Sequence, residues 1–378
     1  MLKPSSLSYV ELSEKNLIHN IKQFKNLAKK GTKFSVAIKG NAYGHGQNEV
    51  AKILEPYIDY FQVNSVLELE LLRKVSNKKT FLLGYVQKID LGRVVKLGCI
   101  LAVFSLEQLR EVFYIAKKMN LIQEIHIPID AYLGREGFLL KELPKVFQEI
   151  KKSKNVKLTG MYAHFANIED TKVFSHAQKQ IDEYQKALKL GEKFGFKNLQ
   201  THISSTSGLL VYEKSRGVHP LIRLGIGAYG MWPSENIRKI NKNEIKLHPI
   251  LSWKTKVAQI KILPKGRTVG YGLTYKTKKE TKVAVVPQGY ADGLDRGLSN
   301  KGEVLIGGTR CKILGRISMN MFVTDVSHLP MIKLEDEVVI LGIQGREEIT
   351  VEEMAEKINT INYEITARIN PLLPRTLI

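Results

Sequence analysis

Several short apolar runs of this chain end in a group able to do chemistry. Phe34-Ser35-Val36-Ala37-Ile38 leads to Lys39, and Gly40-Asn41-Ala42-Tyr43-Gly44-His45-Gly46 follows. A second run ends at Asp130, with Arg135 close behind. Others end at His164, at His202 followed by Ser205 and Thr206, and at Arg223. Each has an ordinary reading when taken alone: a strand-end lysine is most often a solvated charge, and a strand-end histidine a hydrogen-bonded structural residue. Gathered on one rim, they form a candidate site. Lys39 carries the most weight. An amine buried at a strand end is disfavoured as a cation, so its pKa falls and it becomes a nucleophile toward an aldehyde. The glycines after it allow a sharp turn and close approach of a ligand, and the Tyr43 hydroxyl suits a phosphate. These residues permit an aldehyde cofactor that bears a phosphate, without requiring one.

Positioning such groups needs a scaffold that ends many strands on one side. Leu12 to Lys30 reads as an amphipathic helix with Ser13 as N-cap and Leu17, Ile21, Phe24 and Ala28 on one face. Candidate strands follow at Phe34–Lys39, Tyr60–Ser65, Thr80–Tyr85, Cys99–Ser105, Glu124–Asp130, Lys157–Phe165, Gln200–Thr206 and Ile222–Gly230. Helical spacing lies between them, at Val66–Val75, Leu106–Met119 and Ser175–Phe194. Strands alternating with helices argue for parallel βαβ units, and this number of them for a closed (β/α)8 barrel. In such barrels the active site lies at the C-terminal strand ends. From about Lys246 the pattern changes to short alternating strands with dense glycine punctuation, which reads as a mostly antiparallel β domain with one helix at Val351–Asn359. The expected division is 1–240 for the barrel and 241–378 for the β domain.

Composition narrows the function classes. The 378 residues are 43% hydrophobic, enough for a sizeable core. No apolar run reaches the length of a membrane span, and the first twelve residues lack a secretory pattern. Two distant cysteines, Cys99 and Cys311, form neither a disulfide framework nor a metal-ligand spacing. The cytoplasm is the expected location, and no metal is expected. The net charge of +21 raises nucleic-acid binding, but the lysines are scattered and lack interleaved aromatics. Solvated surface charge is the better reading, with neither nucleic acid nor membrane as partner.

Ala37-Ile38-Lys39-Gly40-Asn41-Ala42-Tyr43-Gly44-His45-Gly46 closely resembles the cofactor-lysine motif of the alanine racemases. The resemblance runs through nearly the whole chain: Arg223-Leu224-Gly225-Ile226 with Tyr229-Gly230, Val269-Gly270-Tyr271-Gly272, Gly289-Tyr290-Ala291-Asp292-Gly293, Gly315-Arg316-Ile317-Ser318-Met319-Asn320, and Asn362-Tyr363-Glu364. It implies a (β/α)8 barrel followed by a β domain. It also implies pyridoxal 5′-phosphate held on Lys39 as a Schiff base, and a homodimer with shared active sites.

The resemblance assigns roles one residue at a time. Lys39 is implied as acid/base on one face of the substrate α-carbon. Tyr271, reaching in from the other subunit, is implied on the opposite face. A phenol needs activation to move protons at neutral pH, and His164, backed by Arg223 and His202, is the implied network. Arg223 is the implied partner of the pyridine nitrogen. Because it only donates, it would leave that nitrogen unprotonated and restrain side reactions. Tyr43, Thr206, the Gly225 and Ile226 backbones and Tyr363 are the implied phosphate ligands. Arg135 and the Met319 amide are implied to receive the substrate carboxylate. Tyr290 and Tyr363 are implied to narrow the entrance. Thr206 stands where the family usually has serine.

The departures bear on substrate range and rate. The family segment before the arginine usually holds a lysine, often carbamylated, that orients it; here Pro128 stands there. Another group must then orient Arg135, or it is looser. Asn320 replaces an aspartate near the entrance, and Ser205 an asparagine. The expected function is interconversion of L- and D-alanine for peptidoglycan, the alternative being a racemase of serine or of broad range. A decarboxylase on the same fold would need a carboxylate where Arg223 stands, and a basic RNA-binding protein would leave Lys39 and Tyr271 unexplained.

Overall fold

The computed structural model describes residues 6–169, 171, 173–213 and 219–378. It contains two compact units. One comprises Leu17–Gly40 and Val50–His248; the other comprises the segment up to Asn16, Asn41–Glu49 and Pro249–Ile378.

In chain order the first strands are β1 (Tyr9–Leu12), β2 (Lys33–Ala37), β3 (Tyr60–Val63), β4 (Thr80–Leu82) and β5 (Ile100–Ala102). β6 (Gln123–Pro128), β7 (Val156–Tyr162), β8 (Gln200–His202) and β9 (Leu221–Leu224) follow. All but β1 form one eight-stranded parallel sheet in the order β8-β7-β6-β5-β4-β3-β2-β9. At the remaining seam the Arg223 N–H donates to the Ser204 carbonyl at 3.0 Å, next to β8, so the sheet curls into a barrel. The strands are apolar on both faces because one face fills the barrel and the other meets helices. β3, β4, β5 and β9 are buried at every residue.

The helices between the strands are amphipathic for the complementary reason. Leu106–Lys118 begins at Ser105, whose hydroxyl accepts the Gln108 N–H, and buries Leu109, Val112 and Ala116. Ser13 accepts the Asn16 N–H at the start of the first helix, Glu14–Leu27, as the capping pattern predicts.

All eight expected barrel strands are present, but they stop earlier than expected. Lys39, His164 and Thr206 therefore lie just past strand ends rather than within them, while His202 and Arg223 remain in strands. Pro128 is tolerated at the end of β6 because β5 pairs with β6 only as far as His126. No β5 carbonyl awaits the N–H that proline lacks.

The second unit is a ten-stranded, mostly antiparallel sheet. Its strands are β1, β10 (Leu251–Lys256), β11 (Gln259–Leu263), β14 (Thr281–Val286), β15 (Glu303–Ile306), β16 (Thr309–Leu314), β17 (Phe322–Asp325), β18 (Glu337–Gln344), β19 (Glu347–Ile349) and β20 (Arg375–Leu377). β12 (Thr268–Val269) and β13 (Tyr275–Lys276) make a separate hairpin. β1 pairs antiparallel with β10 and parallel with β20. Among the described residues no helix is long and apolar enough to cross a membrane.

Candidate active site

The chain leaves β2 into an unusual turn. Gly40, Asn41, Ala42, Tyr43 and Gly44 all have positive φ, between 53° and 87°, so Lys39 opens a left-handed turn. Only glycine takes this conformation without cost, and each other residue there is strained by about 1–2 kcal/mol. Local bonds hold it. The Gly40 N–H donates to Glu68 Oε1 at 2.7 Å, the Gly46 N–H to the Asn41 carbonyl at 2.9 Å, and the Gln47 N–H to Asn41 Oδ1 at 2.9 Å. Strain concentrated beside one lysine marks a place where aiming a side chain outweighs local stability.

The Lys39 side chain is open to water, not buried as expected from the sequence. Surrounding protein nonetheless desolvates its ammonium and lowers its pKa; the positive charge of Arg135 adds to the effect, and Glu68 and Glu136 oppose it. An amine of lowered pKa is the nucleophile that an aldehyde requires.

Behind Lys39 lies a buried cationic hub. Arg223 donates from Nη1 to His202 Nδ1 and from Nη2 to the Ala163 carbonyl at 2.7 Å, the Ile203 carbonyl at 3.1 Å and His164 Nδ1 at 3.3 Å. Burial lowers its pKa to about 10, which leaves it charged at neutral pH. Burial, with the Arg223 charge next, brings His164 down to about 3, so its imidazole is neutral. Arg223 is thus rigidly held and aimed. Tyr162 stacks on the His202 ring at 5.0 Å, and the Arg223 guanidinium lies 5.3 Å from the Tyr162 ring centre. The Thr206 hydroxyl accepts the Gly225 N–H at 3.1 Å and the Gly227 N–H at 3.4 Å. A side chain at Gly227 would strike Phe24 and the Thr206 methyl at 2.5 Å. Ile226, buried, begins the short 3-10 turn Ile226–Tyr229.

In the other unit the Tyr43 and Tyr363 rings are 6.0 Å apart. Gly44, at the end of the left-handed turn, lies so near the Thr366 carbonyl that a Cβ would overlap it. Tyr271 follows Gly270, whose positive φ disfavours any side chain and where a Cβ would lie only 3.1 Å from the Arg316 backbone nitrogen. Gly315 presses likewise on the Val269 carbonyl, so the motifs around Tyr271 and Met319 pack together. The Tyr290 N–H donates to the Ser318 carbonyl at 3.2 Å and the Ala291 N–H to the Met319 carbonyl at 2.9 Å. Tyr271 is 72% exposed and Met319 55% exposed; Asn320 is exposed as well.

The structure thus gathers His164, His202 and Arg223 by hydrogen bonds, with the Lys39 and Arg135 charges beside them, and Thr206 with Gly225. Sequence reasoning missed three neighbours. His126 Nδ1 is 3.0 Å from His202 Nε2. The Tyr162 hydroxyl is buried with no hydrogen-bond partner among the described residues. Glu136 pairs with Arg135. A histidine inside the apolar run of β6 was the available signal for the first. The other two gave none, because a strand-end tyrosine and a loop glutamate are common. Among the described residues no group of His, Cys, Asp or Glu is placed to hold a metal ion.

The barrel residues fit pyridoxal phosphate. They offer an amine of lowered pKa, a fixed donor in Arg223, and an orphaned buried hydroxyl on Tyr162 that still lacks a polar partner. Fold and rim together define a two-domain barrel enzyme with a lysine of lowered pKa at its rim.

Comparison with known proteins agrees. Residues 12–233 match the model of the alanine racemase N-terminal domain, and 250–377 that of the C-terminal domain. An alanine racemase of Leptospira interrogans is 33% identical over all of this chain and 97% of its own length. The solved alanine racemase of Bacillus anthracis with bound L-Ala-P is 31% identical, with TM-score 0.93 over 100% of this chain and 96% of that one. A histidine racemase of Leuconostoc mesenteroides is 25% identical, with TM-score 0.90 over 100% of this chain and 99% of that one. The chain belongs to the alanine racemase family and is a pyridoxal 5′-phosphate-dependent amino-acid racemase, an isomerase.

Proposed function

We propose that this enzyme racemises alanine by a two-sided proton transfer, with Lys39 serving one face of the α-carbon and the partner's Tyr271 the other. The observation that carries the reading is the left-handed turn that aims Lys39 beside the anchored Arg223 hub. When bound, the cofactor draws electrons from the substrate α-carbon and makes its proton acidic. This chain's residues do the rest. Lys39 Nζ takes or gives the proton on its face. The phenol oxygen of Tyr271 does so on the other, which accounts for a tyrosine left exposed in a single chain. His164 orders that phenol, and Arg223 and His202 fix His164. Arg223 would face the cofactor ring nitrogen as a donor that does not give up its proton.

Tyr43, Thr206, the Gly225 and Ile226 amides and Tyr363 would hold the phosphate with neutral donors. Arg135 and the Met319 amide receive the substrate carboxylate, while Tyr290, Tyr363 and Asn320 shape the entrance. The working form is a two-fold homodimer, since each site needs both subunits. The barrel unit, residues 17–40 and 50–248, carries Lys39 and Arg223, and the β unit, chiefly residues 249–378 rather than 241–378, serves the partner. The D-alanine is made in the cytoplasm for peptidoglycan.

Incubating the purified protein with single L-amino acids in deuterated water tests this. Alanine should racemise with α-deuterium incorporation faster than serine or histidine. Borohydride should fix a pyridoxyl group on Lys39, and an adduct on another lysine would overturn the assignment.

A further inference from the structure

We propose that Glu136 is the positioning residue of Arg135, its carboxylate fixing the guanidinium that receives the substrate carboxylate. The inference rests on that reading of Arg135. Nothing at position 128 can do this work, because proline offers no side-chain acceptor. The structure shows what stands in. Arg135 Nε donates to Glu136 Oε2 and Nη2 to Oε1 at 2.8 Å, a two-pronged pair that fixes the guanidinium plane. The pair uses Nε and Nη2, so Nη1 remains outside it.

Adjacent residues pair in this way only if the backbone turns them together, and the loop does so. Asp130 Oδ1 accepts the Leu133 N–H at 3.0 Å and the Gly134 N–H at 2.9 Å. The base of the loop is closed by the Phe138 N–H to the Pro128 carbonyl at 2.9 Å and the Asp130 N–H to the Phe138 carbonyl at 3.1 Å. Gly137, with φ of 132°, lies where a Cβ would come within 2.7 Å of the Asp130 nitrogen. Glu136 is therefore held between a pinned turn and a glycine that the closure requires.

Its charge also reaches the site. Burial works against the Glu136 carboxylate, yet the Arg135 bonds, its own backbone N–H and the Lys39 charge keep its pKa below the usual carboxylate value. In return Glu136 opposes the fall in the Lys39 pKa. The carboxylate thus has two consequences: it orients Arg135 and it supports the charge of Lys39. Side-chain exposures of 59% for Arg135 and 31% for Glu136 make the expected effect moderate.

The test uses Glu136→Gln, which keeps the shape and removes the charge, with Glu136→Met as a second variant of similar length. Both should raise KM for L-alanine roughly 3- to 10-fold with a smaller change in kcat, and Glu136→Asp should recover part of the loss. In the cofactor-free protein, labelling of Lys39 by an amine reagent across pH should give a lower pKa in Glu136→Gln than in the parent. Arg135→Gln should raise KM too, and adding Glu136→Gln to it should cost little more, because the two residues act as one unit. A KM raised by Arg135→Gln but not by either Glu136 variant, or losses that multiply in the double variant, overturns the inference alone. An unchanged KM in Arg135→Gln overturns the reading of Arg135 and the inference with it.

Discussion

Arg223 Nη1 points at His202 Nδ1, a nitrogen that can accept this bond only if it carries no proton. Burial, then the Arg223 charge, holds the His202 pKa far below its usual value, so the ring is neutral and its one proton sits on Nε2. That proton faces His126 Nδ1 at 3.0 Å, which must accept. His126, also neutral, then carries its proton on Nε2, pressed against Gly160 with no partner. One arginine dictates the tautomers of two histidines in series. Nitrogen-15 NMR should show both as neutral Nε2–H forms from pH 5.5 to 8.5. A proton on Nδ1 of His202 would break the chain of reasoning.

Tyr271→Phe removes the hydroxyl that the two-sided mechanism needs while leaving Lys39 in place. Exchange of the D-alanine α-proton with solvent should persist. Exchange from L-alanine should fall by about 10²–10⁴-fold, the usual effect of losing a positioned acid/base. Racemisation should fall by a similar factor in both directions, since the two enantiomers are equal in energy. Equal slowing of both exchanges would refute the assignment of faces. Mixing Lys39→Ala chains with Tyr271→Phe chains should restore activity, because one site of the mixed dimer then holds both groups. No recovery despite subunit exchange would count against shared sites.

Pro128 makes a separate forecast. Its nitrogen is locked in a peptide bond and has no free amine to react with carbon dioxide. Activity in degassed, bicarbonate-free buffer should equal that with added bicarbonate. A rise on adding bicarbonate would show that a lysine elsewhere has taken the family role.

Acid should destabilise the fold through its buried histidines. His45, His126 and His219 are buried, and burial brings their pKa values to about 4, 3 and 4. The unfolded chain takes up these protons near pH 6.5. Between those values the unfolded state binds more protons, so this contribution to stability is complete above about pH 6.5 and is lost as pH falls. The slope is at most about 1.4 kcal/mol per pH unit for each histidine. Urea unfolding at pH 7.5, 6 and 5 should show a progressive loss. A flat profile over that range would contradict the burial of these rings.

Legibility in the sequence followed the range of the interaction involved. The barrel strands could be read because each is a short apolar run between helical patterns, and those periodicities are local. Their ends were overrun, from Ala37 to Lys39 at β2 and from Tyr162 to Phe165 at β7, because an apolar run does not reveal where pairing stops. β1 escaped notice: four residues beside a helix carry no sign that they pair with Leu251–Lys256 and Arg375–Leu377. Lys39 could be singled out, but its exposure and the left-handed course of the next residues could not, since backbone handedness here depends on bonds such as that from Gly40 to Glu68.

The sequence by itself determined the candidate reactive groups, the alternation that builds a barrel, and the family, because side-chain chemistry and periodicity are written residue by residue. Tertiary structure alone decided which groups meet. His126 and His202 are 76 positions apart and touch only because β6, β7 and β8 lie side by side. Arg135 and Glu136 are neighbours in the chain, yet their pairing depends on a loop closed between Pro128 and Phe138. Where sequence neighbours point, and which distant residues they face, follows from the packing of the whole chain and from no segment of it.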